Sequence, residues 1–262
     1  MWASPVGWIP LKTRVVVRSV KLSFRVSLPV IGTARGPYNT AVEFGLIELL
    51  RIDPVAFFLL AGALVGALGL HEYAHALAAD LQGDRLPRAM GRLTPNPVKH
   101  LDPLGTVCIL LVGFGWGKPV EFRPQALSSK RFGAAIVALA GPMMNLLLAL
   151  AAAFAFVPLC DADAACSATG EAFLADGALT RFTGIFMGIN VLLAVFNLVP
   201  LPPLDGSRLL TIFLPPDKQK VIFFLDRYGF LILLALVFFG GTTILQPVIE
   251  AVGSAFMALA GG

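Results

Sequence analysis

His71, Glu72 and His75 stand together as His-Glu-x-x-His, and their types and spacing describe a hydrolytic metal site. Two imidazoles four residues apart lie on one helical face, so both can reach one metal ion. The carboxylate between them is placed to act as a base on a metal-activated water. Zinc in a catalytic site usually takes three protein ligands and keeps its fourth position open. The third ligand must come from elsewhere in the chain, and Asp205 is the best-placed acid. It lies in Asn197-Leu198-Val199-Pro200-Leu201-Pro202-Pro203-Leu204-Asp205-Gly206, where the prolines and glycine forbid a regular helix and the broken backbone can aim a carboxylate inward. The expected site is one Zn2+ ion on His71, His75 and Asp205, with Glu72 as the catalytic base.

The elements that must position these residues are apolar. Hydrophobic residues make up 57% of the 262-residue chain, charged residues 14%, and the mean hydropathy is +0.81. Soluble domains carry about 25% charged residues. No charged side chain occurs from Pro54 to Leu70, immediately before the His-Glu-x-x-His stretch. The chain therefore reads as an integral, multi-pass membrane protein, and ionisable groups at the end of such a run are costly unless they have a task. The net charge of +4 comes from basic residues gathered at the span ends, which fits membrane orientation and argues against a nucleic-acid partner. Cys108, Cys160 and Cys166 contain no Cys-x-x-Cys pair, so they point to no metal or redox centre.

In chain order, residues 1–38 form a basic tail, and Tyr38–Asp53 reads as a short amphipathic lead-in to the membrane. The first span is expected over Pro54–Leu81, with Gly62, Gly66 and Gly69 leaving one side bare for another helix. Val107–Phe114 is apolar but would span only about 12 Å as a helix against a hydrocarbon core of about 30 Å, so it is read as re-entrant or interfacial. Trp116–Phe122 has the breakers and alternation of a short exposed strand, whose edge could pair with an extended peptide. A second span over Phe132–Pro158 contains Gly141-Pro142-Met143-Met144-Asn145. There Asn145 needs a polar partner or a wet cavity: an interhelical hydrogen bond and a place near the site are both open. A third span covers Phe182–Pro200, and a fourth Tyr228–Thr243, extending as far as Val252, with Gly240-Gly241 and Pro247 suggesting a break within it. His100 lies in a polar loop and is read as an ordinary loop residue. The fold class is thus an all-α polytopic membrane protein with about four transmembrane helices plus a re-entrant or short strand segment. Its expected divisions are a tail and lead-in at 1–53, an intramembrane unit at 54–252 and a C-terminal tail at 253–262.

Charge asymmetry orients this bundle. Segments 83–131 and 206–228 are basic, while the loop 159–180 holds Asp161, Asp163, Glu171 and Asp176. The positive-inside rule puts the basic segments in the cytoplasm and the acidic loop outside. His71, His75 and Asp205 then meet near the cytoplasmic face, and Cys160 and Cys166 lie where a disulfide is permitted, with their pairing left open. The basic tail at 1–38 disagrees with this orientation.

The joint order of His71-Glu72-x-x-His75, Gly141-Pro142-x-x-Asn145 and Asn197-x-x-Pro200-x-Pro202-Pro203-Leu204-Asp205-Gly206 resembles the site-2 protease family of intramembrane zinc metalloproteases. The likeness covers roughly residues 54–245 and is to the compact bacterial branch, without a PDZ-like domain. It implies cleavage of a membrane-embedded segment of another protein, zinc on His71, His75 and Asp205, Glu72 as general base, and Asn197 on the substrate or the developing oxyanion. Two other readings share these residues: a membrane metal-ion transporter, and a non-catalytic relative that binds membrane segments.

Overall fold

A computed structural model describes residues 46–112, 115–164, 166, 172, 175–213, 219–238 and 242–261. The basic tail at 1–38 and the start of the lead-in lie outside the described residues. Helix α1 (Leu46–Ile52) is followed at once by α2 (Pro54–Leu81). Asp53 caps α2 by accepting from the Ala56 amide at 2.9 Å, and Pro54 occupies the first turn, where its missing N–H is not needed. Arg181 binds the same carboxylate, which ties the start of α2 to a later helix.

A short helix α3 (Leu86–Ala89) leads into the polar loop, and α4 (Pro103–Val112) follows. Ten residues of helix span about 15 Å, too little to cross a membrane core. Then come α5 (Lys130–Ala162), α6 (Ala178–Asn197), α7 (Gly206–Phe213), α8 (Gln219–Phe238) and α9 (Thr242–Leu259). The protein is an all-α membrane protein. Pro54–Leu81, Phe132–Ala162 and Ala178–Asn197 are each long and apolar enough to cross a bilayer. Their exposed Phe58, Phe132, Leu147, Phe154 and Leu179 would be a liability in water and are the expected lipid-facing surface.

Three expectations change. The C-terminal helix runs past Val252: α9 continues through Leu259, with Met257 buried. The break expected at Gly240-Gly241 lies outside the described residues. Trp116–Phe122 is extended but forms no ladder among the described residues, only one antiparallel bridge between Leu101 and Gly117. Pro119 has no N–H to extend that bridge. The glycine stripe on α2 faces another helix at Gly66 alone. A Cβ at Gly62 would meet nothing within 4 Å, and one at Gly66 would make ordinary contact with Phe186. Only at Gly69 would it collide, 2.6 Å from Cβ of Pro97 in the polar loop.

Cores on both faces of α6 hold the bundle. Ala63 and Ala67 of α2 pack against Ile185 and Ile189, while Phe156 of α5 packs with Met187, Val191, Ile249 and Met257. Cys160 and Cys166 form a disulfide at the far end of α5 from the basic loops. A separate cluster of Leu201, Leu204 and Leu233 fastens the broken segment to α8.

Candidate metal centre

The last third of α2 turns His71, Glu72 and His75 inward, and they are 3%, 8% and 6% exposed. Helix α5 crosses them at Gly141. A Cβ there would lie 2.4 Å from His75 Nε2 and 2.6 Å from His71 Nε2, so any side chain would occupy the place where the rings meet. This explains the glycine of Gly141-Pro142-x-x-Asn145 by contact. After α6 the chain turns through hydrogen bonds from Val199 N to Phe196 O and from Leu204 N to Leu201 O, with a cis Pro202–Pro203 bond. Asp205 thereby arrives opposite the histidines.

Asp205 Oδ2 lies 3.1 Å from His71 Nε2 and 3.2 Å from His75 Nε2, and the two Nε2 atoms are 3.0 Å apart. His75 Nδ1 donates to the Val137 carbonyl at 2.7 Å, which leaves its Nε2 as a lone pair. His71 Nδ1 lies 2.6 Å from Asn145 Oδ1, an acceptor, so its Nε2 is likewise bare in the neutral ring. With both rings neutral, three acceptor atoms therefore face one another. Such a triangle is relieved by a proton shared with Asp205 or by a metal cation seated against all three atoms. Tetrahedral zinc bonded at about 2.0–2.1 Å places its ligand atoms about 3.3 Å apart, so the donor set fits that ion.

Glu72 stays out of the triangle. Its Oε2 accepts from Val120 N at 3.1 Å, so the extended segment serves as a backbone clamp on this carboxylate. That contact occupies one amide of the edge expected to pair with an extended peptide. The segment is anchored farther on by Arg123, whose backbone N–H and guanidinium bind Asp84, a fully buried carboxylate that also accepts from Leu86 N. Burial pushes the Asp84 carboxyl up, but the Arg123 amide and guanidinium and the Leu86 amide outweigh it and hold it below the usual range.

Sequence reasoning placed His71, Glu72, His75 and Asp205 together, and the structure brings them together. Asn197 is different: its Nδ2 donates to Leu193 O, 2.9 Å away in its own helix. Asn145 takes both roles left open for it, with an interhelical hydrogen bond to Asn190 and a contact with His71. His100 is a buried loop residue, 2.9 Å from Thr94 O through Nε2. Three contributors escaped the sequence: the Val137 carbonyl, the Val120 amide and Asn190. Only Asn190 carried a signal, as a second amide in an apolar helix.

Comparison with known proteins agrees with this chemistry. Residues 59–236 match the model of peptidase family M50. The chain is 37% identical over 191 residues to "Putative zinc metalloprotease YwhC" of Bacillus subtilis, covering 72% of this chain and 84% of that protein. It is 31% identical over 233 residues to "Putative zinc metalloprotease Rip2" of Mycolicibacterium smegmatis, covering 87% of this chain and 84% of the relative. The Mycobacterium tuberculosis protein with the same printed name is 32% identical over 196 residues, covering 71% of this chain and 70% of its own. No solved structure matches the chain significantly. With most of its length matched and its acceptor triangle suited to zinc, the chain belongs to peptidase family M50, the site-2 protease family of metalloendopeptidases.

Proposed function

We propose that the chain is an intramembrane zinc protease that hydrolyses peptide bonds in or near transmembrane segments of other membrane proteins. The observation that carries this reading is the convergence of His71 Nε2, His75 Nε2 and Asp205 Oδ2 within 3.2 Å of one another, beside a buried Glu72. His71, His75 and Asp205 hold one Zn2+ ion, which when bound polarises the scissile carbonyl and acidifies the attacking water. Glu72 is the base: it takes the water proton and returns it to the leaving amine, while the Val120 N–H fixes its carboxylate. Asn197 is assigned to the substrate or the oxyanion, which requires its amide to leave Leu193 O when substrate binds.

The substrate is a membrane protein within the lipid bilayer. A peptide bond in a membrane helix is shielded by its own hydrogen bonds, so the substrate unwinds before it is cut. The extended Trp116–Phe122 segment, beside Glu72, is where the unwound strand would lie. Residues 54–252 form the protease unit. The basic loops face the cytoplasm and the acidic, disulfide-bearing loop faces outward, which puts the site near the cytoplasmic face of the cell membrane.

Zinc analysis together with cleavage of a model transmembrane substrate tests this reading. Glu72→Gln is expected to keep its zinc and lose cleavage by about 10²- to 10⁴-fold. Equal cleavage would reject Glu72 as the base, and zinc absent from both proteins would reject the site.

A further inference from the structure

Asn190 lies in no motif, touches neither ligand nor base, and is fully buried on α6. We propose that Asn190 is a positioning residue that sets which nitrogen of His71 carries the proton, through an amide relay running from α6 across α5 to α2.

The relay can be read in only one direction. Asn190 Nδ2 lies 2.8 Å from the Phe186 carbonyl. A carbonyl accepts and cannot donate, so the NH2 end of Asn190 faces it and Oδ1 faces Asn145. Asn145 must then present its own NH2, and Nδ2 lies 2.7 Å from Asn190 Oδ1. A second carbonyl, Ala67 O, is 3.4 Å from the same Nδ2 and requires the same orientation. Asn145 Oδ1 is left facing His71 Nδ1 at 2.6 Å, so that nitrogen carries the hydrogen, and in the neutral ring Nε2 presents a lone pair beside His75 and Asp205. Flipping either amide would set oxygen against oxygen away from bulk solvent, since Asn145 and Asn190 are both 0% exposed. Two backbone carbonyls on two helices therefore decide the tautomer of a side chain on one of them. His75 needs no relay, because Val137 O fixes its ring directly.

The tautomer stands on this geometry alone, whereas its consequence for zinc rests on the function proposed above. The test uses the full chain in lipid nanodiscs, with nitrogen-15 ring spectra of its three histidines recorded on metal-free protein. At a pH where the ring is neutral, wild type should show His71 protonated at Nδ1 alone. Asn190→Leu, similar in size but unable to accept, should show both tautomers and weaken zinc binding by about 10- to 100-fold in competition with a chromophoric chelator. Met187→Leu, a buried α6 change outside the relay, should alter neither reading. A metal-free wild type protonated at His71 Nε2 overturns the proposal whether or not the variant folds. So does an Asn190→Leu protein with unchanged spectrum and unchanged zinc affinity. If wild type shows the Nδ1 tautomer but binds no zinc, the relay holds and the zinc reading falls.

Discussion

Helix α2 carries His71, Glu72 and His75 on an unbroken backbone, whereas Asp205 reaches the same point from a stretch without regular structure between Asn197 and Gly206. Each α2 side chain has a partner outside the acceptor triangle: Asn145 Oδ1, Val120 N and Val137 O respectively. The Asp205 side chain is 19% exposed, and its described partners are the two histidines themselves. One half is thus held by side-chain partners and the other only through the packing of its segment on α8, which leaves the carboxylate the looser of the two. A cation between them would tie the Asp205 carboxylate to the α2 ligands, so metal binding and stability of the fold should be coupled.

The largest expected effect attacks the fixed half. Gly141→Ala puts a carbon 2.4 Å from His75 Nε2, where no real Cβ sits, and both neighbours are parts of packed helices. Zinc affinity should fall by at least the about 10- to 100-fold that loss of an orienting partner costs. Gly62→Ala, two turns before the site with open space around it, is the matched control. It should leave zinc affinity unchanged and shift stability by no more than about 1 kcal/mol. Chelator competition on the two purified variants decides it, and equal affinities would mean that α5 yields at Gly141.

A smaller effect is expected from the loose half. On α8, a Cβ at Gly229 would lie 2.5 Å from Pro202 O, and Leu233 one turn later packs on Leu201 and Leu204. Gly229→Ala should push the broken segment away from α8 and cost about 1–3 kcal/mol of stability as overpacking. It should lower zinc affinity less than Gly141→Ala does. Because it leaves the α2 partners untouched, the ring nitrogen spectrum of His71 should not change, and a changed spectrum would show that the two halves are not independent.

These contrasts follow what was legible in the sequence. His71, Glu72 and His75 declared themselves because a 3.6-residue period fixes their relative placement without tertiary information. Asp205 was legible for the opposite reason, since prolines mark where a helix must fail. The strand reading of Trp116–Phe122 missed because alternation describes a backbone conformation and cannot say whether a partner strand exists; here the partner is a carboxylate. The glycines of α2 looked like a docking stripe, but only contact distances reveal that Gly69 meets a loop and Gly62 meets nothing. Asn190 could have been paired with Asn145 by asking which other buried helix offered an amide.

The smallest effect concerns Asp84, which belongs to neither half but fastens the Glu72 clamp to the end of α2. Its folded pKa is depressed below the unfolded value of about 3.9, so the ionised form is favoured by folding. The stability it contributes is complete above that unfolded value and is lost as the pH falls through the folded one. Wild type should therefore lose stability below about pH 4. Asp84→Asn should begin about 1–3 kcal/mol less stable near neutrality, because one amide keeps its acceptor and the other does not. It should then fall less steeply with acid, since it has no proton to take up at this position. Zinc affinity at pH 7 should not move, because none of the three acceptor atoms touches Asp84 or Arg123. Unfolding in a graded denaturing detergent at several pH values separates the two terms. Parallel acid limbs for wild type and variant would mean that Asp84 holds the extended segment by hydrogen bonding alone, with no share in the acid sensitivity of the fold.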